Sequence, residues 1–169
     1  MDARERNHTI SVLVENEFGV LARIAGMFAG RGFNIDALSV APTVDPKLSR
    51  MTIITHGNEL IIEQILKQLN RLIDVMKVVD VSSEDCVRRE LMLVKIRAYE
   101  KSRGAIEAVV KKFHGKIDDA EDQKTSILEF VAEHEVMQTI LKALDEFGIL
   151  EVVRTGNIAM QRGKSVVSP

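Results

Sequence analysis

Tryptophan is absent from the 169 residues, tyrosine occurs once, and the six phenylalanines lie mainly in apolar periodic patterns. Aromatic platforms for stacking nucleobases are therefore scarce. Charge of one sign is lacking too. The 23 Lys and Arg residues against 25 Asp and Glu leave a formal charge of -2, which gives no field for nucleic acid or an anionic membrane. The single cysteine, Cys86, has no partner for an internal disulfide, which fits a reducing, cytoplasmic setting. No apolar run reaches the length of a membrane span. The apolar stretch behind the polar start MDARERNH is interrupted too soon to be a secretory core. The expectation is a cytoplasmic protein with no nucleic-acid or membrane partner. What remains is ordinary: 46% hydrophobic and 28% charged residues, enough for one domain or two small ones.

Periodicity sets out the elements. Residues 1–7 read as a short frayed arm. Thr9 to Val14 alternates in part, with Ile10, Val12 and Val14 on one face and Leu13 on the other. Leu21, Ile24, Ala25 and Phe28 recur at helical spacing over residues 20–29, and Gly30-Arg31-Gly32 closes that helix. Residues 34–41 and 50–55 are β-rich strands around the turn Val44-Asp45-Pro46-Lys47. Asn58 caps a second helix carrying Ile62, Ile65, Leu66 and Leu69, and residues 75–81 form a fourth strand. The order is βαββαβ. The polar stretch Ser82-Ser83-Glu84-Asp85 marks a boundary, and the same order follows again. Its strand is at 90–98, a helix ends at Gly115, and extended stretches lie at 116–120 and 126–131. A helix at 134–147 and a strand at 149–153 complete it, with residues 157–160 extending that strand. The expected fold is α+β, two ferredoxin-like βαββαβ domains, each an antiparallel sheet with two helices on one face. The first spans residues 1–82 and the second residues 83–162, with a loose tail at 163–169.

Catalytic groupings are missing. Cys86 lies in a charged linker beside Arg88 and Arg89 without a base partner. His8, His56, His114 and His134 never fall at metal-ligand spacing. The acidic run Asp118, Asp119, Glu121, Asp122 lacks the calcium-loop pattern and reads as a solvated turn. Gly26, Gly30 and Gly32 sit in and after a helix, the reverse of the strand-to-helix context of a dinucleotide loop.

The informative stretch is Glu15 to Ile35. Free N–H groups at a helix start favour a carboxylate, and the amides of Asn16 and Asn34 can match the donors and acceptors of a zwitterion. Gly19 and Gly32 serve equally as ordinary turn glycines, and the asparagines as ordinary caps.

That turn within a repeated architecture resembles the amino-acid-binding ACT domain, and the chain as a whole resembles the small, regulatory subunits of acetolactate synthase. The match is carried by residues 11–17, by Gly19-Val-Leu-Ala-Arg23 and Arg31-Gly-Phe-Asn-Ile35, and by the string from Ala41 to Thr52. Lys67-Gln-Leu69 and Arg89-Glu-Leu-Met-Leu-Val-Lys95 add to it. The resemblance implies a non-catalytic partner of a large catalytic subunit that uses thiamine diphosphate, Mg2+ and FAD, while this chain holds no cofactor or metal. It implies activation of that subunit and feedback inhibition by valine in branched-chain amino acid biosynthesis. It further implies a homodimer through the N-terminal domains, with valine held by Asn16, Gly19 and Asn34 near Val20, Leu21 and Ile35. The chain departs from the family at Phe18, where a small or polar residue is frequent. The alternative is a free-standing ACT-type sensor acting on another enzyme or a transcription regulator.

Overall fold

The structure is a computed structural model that describes residues 6–98, 100–119 and 124–168. Most of the expected N-terminal arm, Ala120 and the carboxylates of Glu121 and Asp122 lie outside the described residues. The chain divides into two compact units, one formed by residues up to 87 together with those from 158 on, the other by residues 88–157.

In the first unit the elements run β1 (Arg6–Glu15), α1 (Val20–Ala29), β2 (Ala37–Pro42), β3 (Leu48–Gly57), α2 (Glu59–Leu69) and β4 (Val75–Asp80). The sheet order is β2-β3-β1-β4, and every pairing is antiparallel. Ile10, Val12 and Val14 of β1 enter one core with Ile24 and Phe28 of α1 and Ile62, Ile65 and Leu69 of α2, so both helices cover the same face. Asn58 caps α2 as expected, its side chain accepting from the Ile61 N–H at 3.0 Å. β2 begins at Ala37 rather than at Asn34, because the Asn34 amide is turned onto Asp36 ahead of the ladder.

Leu13, on the face away from the helices, is 2% exposed and so offers no open apolar surface. On that face Arg50 Nε donates to Ser11 Oγ at 2.9 Å, and its Nη2 donates to the Ala159 carbonyl at 3.3 Å. Ala159 belongs to β9 (Ile158–Gln161), which packs with Val81 and Cys86 in a small apolar cluster. This strand does not prolong its predecessor, as alternation alone suggested. Gly156 turns the chain at φ 75°, and β9 joins the first unit.

The second unit repeats the pattern with β5 (Cys86–Arg97), whose first two residues fall in the first unit, then α3 (Arg103–Lys112), β6 (Lys116–Asp119), β7 (Thr125–Ala132), α4 (His134–Leu144) and β8 (Ile149–Arg154). Its order β6-β7-β5-β8 is the same ferredoxin-like arrangement. Met92, Val94 and Ile96 pack against Ile106 of α3 and Met137, Ile140 and Leu144 of α4. The helix expected over 134–147 tightens into a 3-10 turn at Asp145–Phe147 before Gly148 at φ 76°.

Candidate functional site

The turn between β1 and α1 is built by glycine at its last position. Gly19 has φ 82° and stands at the N-cap of α1. It brings no side-chain cap, and the first helical turn contains no acidic residue, so the opening N–H groups meet no carboxylate of the chain's own, that of Val20 donating to the Glu17 carbonyl at 3.4 Å. The turn is tied down on two sides. The Asn16 N–H donates to Lys47 O at 2.7 Å, and Asn16 Nδ2 donates to Pro46 O at 2.9 Å. The Glu15 N–H donates to Asp74 O at 2.9 Å. Arg23, one helical turn in, grips the Asp74 carboxylate through Nε at 2.6 Å and Nη2 at 2.9 Å. Val20 is buried in the core, Leu21 is 43% exposed, and Phe18 is fully exposed at the rim.

Asn34 sits in a different setting. Its Nδ2 donates to Asp36 Oδ1 at 2.5 Å, and its carbonyl accepts from Thr55 Oγ1 at 2.6 Å. The other Asp36 oxygen meets His56 Nδ1 at 2.8 Å. Ile35 is half-buried against the first core.

These two groups lie at opposite ends of one sheet. Asn16 is level with Lys47 at the start of β3, whereas Asn34 is level with Thr55 near its end. Eight residues of strand separate the two levels, roughly 26 Å at about 3.3 Å per residue. The chain thus gathers Asn16, Gly19, Val20 and Leu21 at one end and Asn34 and Ile35 at the other. No free amino acid spans that gap. Sequence reasoning missed Arg23 and Asp74, and likewise Asp36 and His56. Arg23 was visible four residues after Gly19, but Asp74, 51 residues further on, carries no local signal.

One further polar cluster needs separating from catalysis. His8, Asp80 and Ser82 meet at the end of β4 with His8 buried. Both Asp80 Oδ2 at 3.2 Å and Ser82 Oγ at 3.3 Å address the same ring nitrogen, Nδ1 of His8, while Nε2 accepts from Arg6 Nε at 3.3 Å. A catalytic triad needs nucleophile and carboxylate on different ring nitrogens, so this is a structural knot. Burial opposes ionisation of Asp80. The Ser82 hydroxyl and N–H and the His8 ring outweigh it and hold the carboxyl below its usual range. Among the described residues no group of three or more His, Cys, Asp or Glu side chains could hold a metal ion, and no helix is long and apolar enough to cross a membrane.

Comparison with known proteins adds the context. Residues 10–77 match the family described as the AHAS small subunit-like ACT domain, and residues 89–163 match the small subunit of acetolactate synthase. The acetolactate synthase small subunit of Haemophilus influenzae is 43% identical over 156 residues, covering 92% of this chain and 95% of that protein. That of Aquifex aeolicus is 41% identical over 162 residues, covering 95% and 84% respectively. The crystal structure of the acetolactate synthase small subunit from Thermotoga maritima superposes with a TM-score of 0.86 at 34% identity, covering 95% of this chain and 99% of that one.

Proposed function

The chain belongs to the family of acetolactate synthase small subunits, and from that premise we propose that it is a regulatory subunit that takes a branched-chain amino acid, valine first, as its effector. In this reading it binds and activates a large catalytic subunit in the cytoplasm, and valine reverses that activation. Thiamine diphosphate, Mg2+ and FAD belong to the large subunit.

The observation that carries the reading is the uncapped start of α1 behind the braced Asn16–Gly19 turn, in a domain of the ACT family. The helix start suits the effector's carboxylate. Leu21 borders it with exposed apolar surface for a small branched side chain, and Val20 backs the turn from the core. Asn34 and Ile35 lie too far off to serve the same molecule from the same chain. We therefore assign them to the second copy of a homodimer, whose N-terminal domains bring the two ends of their sheets together.

The test is turnover of pyruvate by the purified large subunit alone, with this protein, and with this protein plus valine. Turnover should rise on adding the protein and fall back as valine is titrated in. The chain alone, supplied with all three cofactors, should form no acetolactate. Turnover indifferent to the chain would overturn the reading.

A further inference from the structure

The geometry points to the Arg23–Asp74 ion pair as a positioning brace for the effector turn, setting effector affinity through the shape of the turn. The inference rests on the reading of the Asn16–Gly19 turn proposed above.

Two elements, β1 and α1, converge on Asp74, which is 8% exposed. Its carbonyl receives the N–H of Glu15, the last residue of β1. Its carboxylate receives both Nε and Nη2 of Arg23. Arg23 in turn closes the first turn of α1, its N–H donating to Gly19 O at 2.9 Å. The turn from Asn16 to Gly19 is therefore strung between two stubs that are both anchored to one residue, and Asn16 itself is latched to Pro46 and Lys47. A Cβ added to Gly19 would lie 3.1 Å from Arg23 Nη1, so the guanidinium lies directly against the turn.

Stability alone does not account for this arrangement. An arginine near a helix start stands on the unfavourable side of the helix dipole, where an acid would stabilise. An ion pair with a buried carboxylate is weak evidence for stability, because desolvation of the charges offsets their attraction. What a bidentate guanidinium–carboxylate pair supplies is fixed geometry. Here it fixes the turn and leaves Nη1, the guanidinium nitrogen that Asp74 does not take, against Gly19, which serves an incoming carboxylate.

The experiment is valine calorimetry on the full-length protein with Arg23→Lys, Arg23→Met and the double variant Arg23→Met/Asp74→Leu. The double variant replaces the pair by apolar groups, a change that folds often tolerate, and circular dichroism checks that it folds. Affinity should fall tenfold or more in Arg23→Met and stay low in the double variant. Arg23→Lys keeps the charge but not the fork and should fall in between. Wild-type affinity in the folded double variant, or in Arg23→Lys should the double variant not fold, would overturn the brace while leaving the effector reading intact. Absence of saturable valine binding by the unaltered protein would overturn both.

Discussion

At Gly19 a side chain is wrong twice: the backbone is left-handed at φ 82°, and a Cβ would press on Arg23 Nη1. Gly19→Ala should lower stability by roughly 1–2 kcal/mol, the usual penalty for an L-residue in that conformation, readable as a lower melting temperature. Gly19→Asp tolerates the backbone better yet sets a negative charge where the effector's carboxylate is to sit, so its larger effect should be on valine affinity by calorimetry. At the other end, Asn34→Ala removes an amide from the proposed site. Loss of one charge-assisted bond costs roughly 1.5–3 kcal/mol, and valine should bind about one to two decades more weakly. Asp80 makes a separate prediction about acid. Its carboxyl titrates lower in the fold than in the unfolded chain because Ser82 and His8 hold the charged form against burial. The stabilisation is therefore complete above the unfolded value of about 3.9 and is lost as pH falls through the depressed folded value. Asp80→Asn should be less stable than the parent in urea at pH 7, and the two curves should converge below about pH 4. A gap that stays constant into acid would deny Asp80 this role.

Elements with strong periodicity were legible in the sequence, and their failures share a cause. α1 and α2 follow from the spacing of Leu21, Ile24 and Phe28 and of Ile62, Ile65 and Leu69, and the polar run at 82–85 does separate β4 from β5. The sequence places Asn16 and Gly19 on one turn because their neighbours are local. It could not show that Asn34 lies at the far end of the sheet, since that depends on the register of β1 and β2 against β3. β9 is the clearest miss: Ile158-Ala-Met-Gln161 reads as a strand, but the turn at Gly156 takes it away from its predecessor and Arg50, far away in the chain, holds it in the first unit. Arg50 reaches both Ser11 and Ala159 from the sheet face opposite the helices, and burial lowers its pKa while the nearby Cys86 opposes that shift. Arg50→Met should release β9 preferentially. A bond of about 1 kcal/mol corresponds to roughly fivefold faster amide exchange at residues 158–161. Exchange in α2 should stay unchanged, and uniform acceleration through the first unit would mean that Arg50 supports the whole sheet instead.

For the whole molecule, the separation of Asn16 and Gly19 from Asn34 turns the site into a statement about assembly. The twofold dimer proposed here would contain two equivalent composite sites, each taking the β1–α1 turn from one copy and the start of β2 from the other. Two chains that are each defective alone can then repair one another. A dimer of one Gly19→Asp chain with one Asn34→Ala chain has one site carrying both substitutions and one carrying neither. Equal amounts of the two variants, unfolded together and refolded, give heterodimers in about half of the dimers by random pairing, each with one intact site. The mixture should therefore recover about a quarter of the parent's valine-binding capacity at the parent's affinity. Each variant alone should show only weak binding. The parent refolded in the same way sets the full capacity, because incomplete refolding lowers capacity without changing affinity. If each chain carried its own complete site, the mixture would bind as the plain average of the two variants, with no high-affinity fraction. Light scattering on the same samples checks the premise, since a chain that remains monomeric at micromolar concentration has no second copy from which to take Asn34.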